Sequence, residues 1–277
     1  MLICLPPSEG KTRAPDGAPP VDLAGLSSPS LTPQRTAVLE ALASVSSRPD
    51  ATAVLGVSDG LAEEVARNVH LKAAPSAAAA HVYTGVLFSA AGLGDLPAEA
   101  ARRAEQSVRI FSGLWGAVAP SDHIPAYRLP MGVNLPGVGR LATSWRPHLA
   151  EALDDHAAGD IVVDCRSAPY VAAWKPATTG PKAAEWVTVR VVREVDGRRS
   201  VVSHNAKHTR GVLTGHVLRR PASPPTSAET LLTATRELVG AVIGTEIGSG
   251  QTYRLIEATL HDATSRRGPL TLELVIT

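Results

Sequence analysis

Aromatic residues make up only 4% of this 277-residue chain, which holds two cysteines and two methionines. Cys4 and Cys165 lie in apolar runs with no second Cys or His at metal-ligand spacing, which argues against a zinc site, so both thiols read as small buried hydrophobes in preference to a redox pair. Trp115, Trp145, Trp174 and Trp186 are too dispersed for a base-stacking platform and read as core. No apolar run approaches the ~20 residues that span a bilayer. The chain opens on an apolar strand, Leu2 to Leu5, without the basic n-region of a secretory signal. A cytoplasmic protein with no membrane partner, no metal and no cofactor is expected.

Net charge is also low, +1, but unevenly spread: residues 101–220 carry 17 Lys and Arg against 10 Asp and Glu. The densest stretch, Ser203 to Arg220, holds Lys207, Arg210, Arg219, Arg220 and three histidines and no acid. Such a stretch suits phosphates or another polyanion at one face, and is equally the pattern of a solvated helix face. His204, His208 and His216 have helical spacing, but no carboxylate accompanies them and the surrounding cations repel a metal.

Glycine and proline are plentiful, 23 and 22, and crowd most densely between Phe111 and Gly132. A helix or strand cannot persist there. Gly113 and Gly116 free the backbone, Pro120, Pro125 and Pro130 fix φ, and Asp122, Tyr127 and Arg128 are polar groups a rigid loop can aim. Asp122 is the expected partner of Arg128, either holding an unliganded site in place or forming a purely structural pair. Lys207 and Arg210, three apart, share one side of a helix start, where the dipole also favours anions.

Pro7-Ser8-Glu9-Gly10-Lys11-Thr12 ends like a phosphate-binding P-loop but lacks its first glycine and following helix, leaving Lys11 as a lysine on a turn at a strand end. Gly92-Leu93-Gly94 before a helix Pro97 to Gln106 with Arg102 and Arg103 has the spacing of a DNA-binding helix-hairpin-helix, or of an ordinary turn. Leu135 to Gly139 looks similar but has no room for a preceding helix. No Ser-His-Asp order and no paired catalytic carboxylates can be assigned.

Periodicity and caps predict helices from Thr32 to Val45, from Ser58 or Asp59 to Val69, and over 97–106, 144–156, 209–218 and 227–238. Strands are expected at 2–5, 108–111, 161–164 and 186–195, the last turning through Asp196-Gly197 into 199–203. Thr252 to Leu260 and Leu270 to Ile276 alternate like a half-exposed terminal hairpin, reached through a Pro-rich linker over 221–226. This mixture without regular βα alternation predicts a single α/β (mixed α+β) domain with a mixed sheet, spanning 1–277.

The 111–132 run resembles the signature of the YaaA family of peroxide-stress proteins, roughly Ser-Gly-Leu-Tyr-Gly, Pro-x-Asp, then Pro-Tyr-Arg-Leu-x-Met-Gly. Further similarities follow in order: Met1 to Thr12, Val82-Tyr83-Thr84-Gly85, Ile161 to Tyr170, and Ala206-Lys207-His-Thr-Arg210-Gly211. The likeness covers residues 1 to about 220, with Pro169 where the family usually has an acid. It implies a YaaA-like fold and a cytoplasmic role in peroxide stress, binding DNA through a basic cleft by shape or backbone recognition. It also raises the weight of Lys11 and of the Gly92 hairpin. The alternative is an enzyme acting on a small anionic or nucleotide-like ligand held by Lys11, Tyr83, Asp122, Tyr127, Arg128, Lys207 and Arg210.

Overall fold

The computed structural model of the protein describes residues 1–202, 204–245 and 250–277. Nine strands make one mixed sheet: β1 (Leu2–Leu5), β2 (Val108–Ser112), β3 (Gly116–Val118), β4 (Ile161–Asp164), β5 (Glu185–Val195), β6 (Arg198–Val201), β7 (Val242–Thr245), β8 (Thr252–His261) and β9 (Leu270–Ile276). Their order is β7-β8-β9-β5-β4-β1-β2-β3, with β6 paired to the C-terminal end of β5. The stretch β9-β5-β4-β1-β2 is parallel. Every residue of β1 and β4 is buried, which explains their lack of alternation: a parallel strand covered on both faces is apolar almost throughout.

The principal helices are α1 (Thr32–Ser46), α2 (Val86–Ala91), α3 (Ala98–Ser107), α4 (Leu141–Ala157), α5 (His204–Arg219) and α6 (Ala228–Arg236). Proline in the first turn of α1 and a Ser227–Thr230 capping box before α6 mark those starts as the sequence implies. The stretch expected as one helix from residue 58 is instead a 3-10 turn, a short helix Ala62–Arg67 and a second 3-10 turn Asn68–His70. Helix α5 begins five residues earlier than Thr209, so Lys207 and Arg210 occupy its first two turns. It packs directly on the backbone of α2. A Cβ at Gly211 would lie 2.2 Å from the Leu87 carbonyl oxygen, and one at Gly215 2.7 Å from that of Ala91. Ser203, at the expected end of the 199–203 strand, and the side chain of His204 lie outside the described residues.

The Asp196-Gly197 turn has φ of 52° and 73°, the doubly positive pair a tight hairpin requires. The terminal strands correct the sequence expectation. Strands β8 and β9 do pair antiparallel, but β9 also pairs in parallel with β5 over Leu270 to Ile276, so it lies inside the sheet and its last five residues are buried. A parallel partner 83 positions away leaves no local signature in the pattern. Strand β7 was not anticipated either, nor was β3, which continues the sheet inside the Gly- and Pro-rich run because Gly116 turns the chain back to pair with β2. Segments on both sides of the 221–226 linker thus contribute to one sheet.

Candidate functional site

Strands β1, β2 and β4 end on the same edge of the sheet, where the turns Pro6–Lys11, Gly113–Trp115 and Cys165–Tyr170 follow them. This is the edge at which open α/β sheets hold ligands. A cleft of about 310 Å³ opens there. Its walls come from Pro6 to Gly10, from Thr84 to Phe88, from Cys165, Ser167 and Tyr170, and from Lys207 and Arg210 of α5.

Arg210 is pinned: its Nε and Nη2 donate to the Val189 carbonyl at 3.0 and 2.7 Å. That fixes the guanidinium at the cleft and leaves Nη1 without a partner among the described residues. Lys207 is exposed and has no carboxylate partner among them. Cys165 lies in the wall, but burial pushes its thiol up to about 12, and burial likewise raises that of Cys4. Neither is a thiolate at neutral pH. Among the described residues no group of His, Cys, Asp or Glu is placed to hold a metal ion.

Behind the Pro6–Gly10 turn lies a second cluster, where Lys11, Tyr83, Tyr127 and Arg128 meet. The Lys11 ammonium donates to the Ser8 and Glu9 carbonyls at 2.8 and 3.4 Å and sits over the rings of Tyr127 and Tyr83 at 4.4 and 5.6 Å. The residue as a whole is only partly covered, but its charged end is enclosed. Burial, then repulsion from Arg128, lowers its pKa from 10.5 to about 7, against the opposing pull of Glu9 and Glu64. Tyr83 and Tyr127 share a 2.9 Å hydrogen bond, and Tyr127 meets the Ser112 hydroxyl at 2.6 Å. Burial raises the pKa of both phenols. Ser112 Oγ in turn accepts the Leu114 and Trp115 amides at 3.1 and 2.9 Å.

Arg128 is 5% exposed, and its partners are not Asp122. Its Nε and Nη2 donate to Glu64 Oε2 at 3.0 and 2.5 Å and its Nη1 to Glu9 Oε2 at 3.0 Å. Asn68 clamps its main chain, accepting from the Arg128 amide at 3.0 Å and donating to its carbonyl at 2.9 Å. Asp122 instead accepts from Ser27, amide and hydroxyl, and from the Ala119 amide, tying two loops together. The expected Asp122–Arg128 pair is therefore corrected: a carboxylate needs donors within reach, and the loop folds so that the nearest are the Ser27 hydroxyl and two backbone amides.

Arg102 and Arg103 do not reach the cleft. Arg102 is exposed and pairs with Glu99, while Arg103 donates to the Arg220 and Ala222 carbonyls. The Gly92 turn does join α2 to α3, but its carbonyl and that of Ala91 are held by Arg219 at 3.1 and 2.9 Å, and the Gly92 amide is spent on Phe88. Much of the basic excess over 101–220 is used this way, guanidinium against backbone carbonyl.

Sequence reasoning missed Glu9, Glu64, Asn68, Ser112 and Arg35. Arg35 is fully buried in α1 and donates to the carbonyls of Trp115, Ala117 and Ser27 at 3.1, 2.8 and 2.8 Å, bracing the Gly-rich loop. Burial lowers its pKa to about 10, only partly offset by Asp122. Its spacing to Val38, Leu39 and Leu42 was a usable signal, since it places an arginine on the apolar face.

An α/β protein with a small cleft at the C-terminal edge of its parallel strands is what fold and geometry define. The chain belongs to the YaaA family: the family model described as peroxide stress protein YaaA matches residues 1–236, past Arg220 and through α6. It is 46% identical over 240 residues to a UPF0246 protein of Streptomyces coelicolor, covering 86% of this chain and 90% of that one. A UPF0246 protein of Corynebacterium efficiens is 37% identical over 254 residues, covering 91% and 97%. One from Corynebacterium glutamicum is 39% identical over 217 residues, covering 77% and 83%. Among the described residues no helix is long and apolar enough to cross a membrane.

Proposed function

We propose that this is a cytoplasmic protein of peroxide-stress defence that binds a small anionic, nucleotide-sized molecule in the cleft, with Lys207 and Arg210 taking the anionic group. The observation that carries this reading is the shape of the cleft and its one-sided charge: about 310 Å³, cations on the α5 wall, apolar Pro6, Pro7, Val86, Leu87 and Phe88 beside them, and the Glu9 carboxylate across the turn. That volume sits at the lower end of the range for small-molecule sites, ~300–1,000 Å³, and the mixture of apolar wall and few polar groups is their usual lining. A preset Arg210 loses little entropy on meeting a phosphate or carboxylate.

A second reading, duplex DNA across the cleft mouth, is favoured by the exposed Lys207 on a helix without acids. Calorimetric titration with adenosine 5′-diphosphate, inorganic phosphate and a duplex of about 20 base pairs separates the two. The small-ligand reading expects saturable binding of one of the small probes, weakened roughly tenfold in Lys207→Gln. Duplex binding that falls steeply with salt, with no response to either small probe, would replace it by the DNA reading.

A further inference from the structure

A second cavity, of about 260 Å³, lies between the turn after Lys11, the Ala62–His70 region and Ala126. Its chemistry differs from that of the cleft. Ala14, Leu71, Ala74, Pro75 and Ala126 make an apolar lining, and the polar side chains on it are Arg13, Arg67 and His70, with no carboxylate among the lining residues. None of these residues lines the cleft.

The two guanidinium groups are loosely engaged. Arg13 faces Asp16 at 3.7 Å and Arg67 faces Glu63 at 3.5 Å, each pair within one turn of chain and with its carboxylate almost fully exposed. Exposed local pairs of that kind contribute ~0–1 kcal/mol, so an incoming anion displaces them at little cost. The His70 ring has no hydrogen bond among the described residues. The frame around these two side chains is firm. Buried Asn68, between Arg67 and His70, is bonded to Ser46 and to the Arg128 main chain, and Pro75 is bridged to Pro20.

We propose that this cavity is a second anion site, taking a small molecule that joins one carboxylate or phosphate to a short apolar body. Two guanidinium forks and an imidazole face the anionic group, while the alanine, leucine and proline lining accepts the body; the cavity falls just below the ~300 Å³ at which drug-sized ligands begin, so the ligand is small. The proposal stands independently of the ligand assigned to the cleft.

Phenylphosphate and benzoate, followed by NMR titration of the full chain, test it, with benzyl alcohol as the uncharged counterpart. The wild type should bind at least one anion saturably below about 10 mM and bind benzyl alcohol much more weakly, whichever anion wins naming the head group. The Arg13→Gln, Arg67→Gln double variant should lose roughly tenfold or more in affinity at an unchanged melting temperature, and Arg67→Lys part of that, because lysine keeps the charge without the fork. Followed at the amide signals of Arg67 to Ala74, the affinity of this cavity should stay as in the wild type in Lys207→Gln, even where that variant weakens binding in the cleft. Equal affinity in the double variant, saturating shifts confined to the cleft residues, equal binding of benzyl alcohol, or no saturation by either anion would each overturn the assignment.

Discussion

The two sides of the Pro6–Gly10 turn handle charge in opposite ways. Behind it, Arg128 is answered by two carboxylates, Lys11 by two carbonyls and two aromatic rings, and Arg35 by a set of carbonyls. In front of it, among the described residues, Lys207 has no carboxylate partner and Arg210 keeps one guanidinium nitrogen uncommitted. Satisfied buried charge holds a shape, because removing one partner strands the others away from water. Unanswered charge at a cleft is held for something that arrives. Substitutions behind the turn should therefore cost stability, and those in front should cost binding.

The largest effect should come from Arg35→Met, which takes a buried guanidinium away from the carbonyls of Trp115, Ala117 and Ser27. We expect a loss of more than about 3 kcal/mol in urea unfolding, and a smaller loss would mean that the Gly-rich loop is braced by other contacts. Arg128→Lys should lower stability by ~1–3 kcal/mol, since lysine cannot reach Glu64 and Glu9 together. A native melting temperature with weakened ligand binding would move Arg128 to the front side of the comparison.

Lys11 gives a signed pH effect. Its folded pKa is near 7 against an ordinary 10.5, so below about 7 both states hold the proton and the cost of enclosing the ammonium is fully present. Between those values the unfolded chain keeps a proton that the folded one has shed, and stability rises with pH. Comparing the wild type with Lys11→Met at about pH 6 and about pH 9 should show the difference moving in favour of the wild type at the higher pH. A difference independent of pH would place the Lys11 titration elsewhere. The smallest effect belongs to Lys207→Gln, within about 0.5 kcal/mol of the wild type, whatever it does to ligand affinity.

What the sequence made legible was local. The 161–164 strand, α1 and the Asp196-Gly197 hairpin rest on apolar runs, a proline at a helix start and a turn dipeptide, and each is where those signals put it. Tyr83, Tyr127 and Arg128 do meet Lys11. The partners were not legible, because they were chosen by topology: Glu64 reaches Arg128 across 64 positions, and β9 reaches β5 only after β6, α5, α6, β7 and β8 have been laid down. The charge count misled for a related reason. A surplus of arginines over acids reads as a binding surface until Arg103, Arg109, Arg146 and Arg219 are seen donating to carbonyls, which carry no formal charge and so are invisible in a tally.

The row of hydroxyls from Ser112 to Tyr83 has one permitted sense. With both lone pairs of Ser112 Oγ taken by the Leu114 and Trp115 amides, its own hydrogen must go to Tyr127. Tyr127, having accepted, hands its hydrogen on to Tyr83, whose own hydrogen ends the row. Reversing the row would require one of two backbone amides to let go. The three O–H bonds thus form a fixed polarity, oriented by the tight turn after β2 and with its positive end at Tyr83, so that a turn of main chain dictates the direction in which a tyrosine 29 positions earlier in the chain offers its proton.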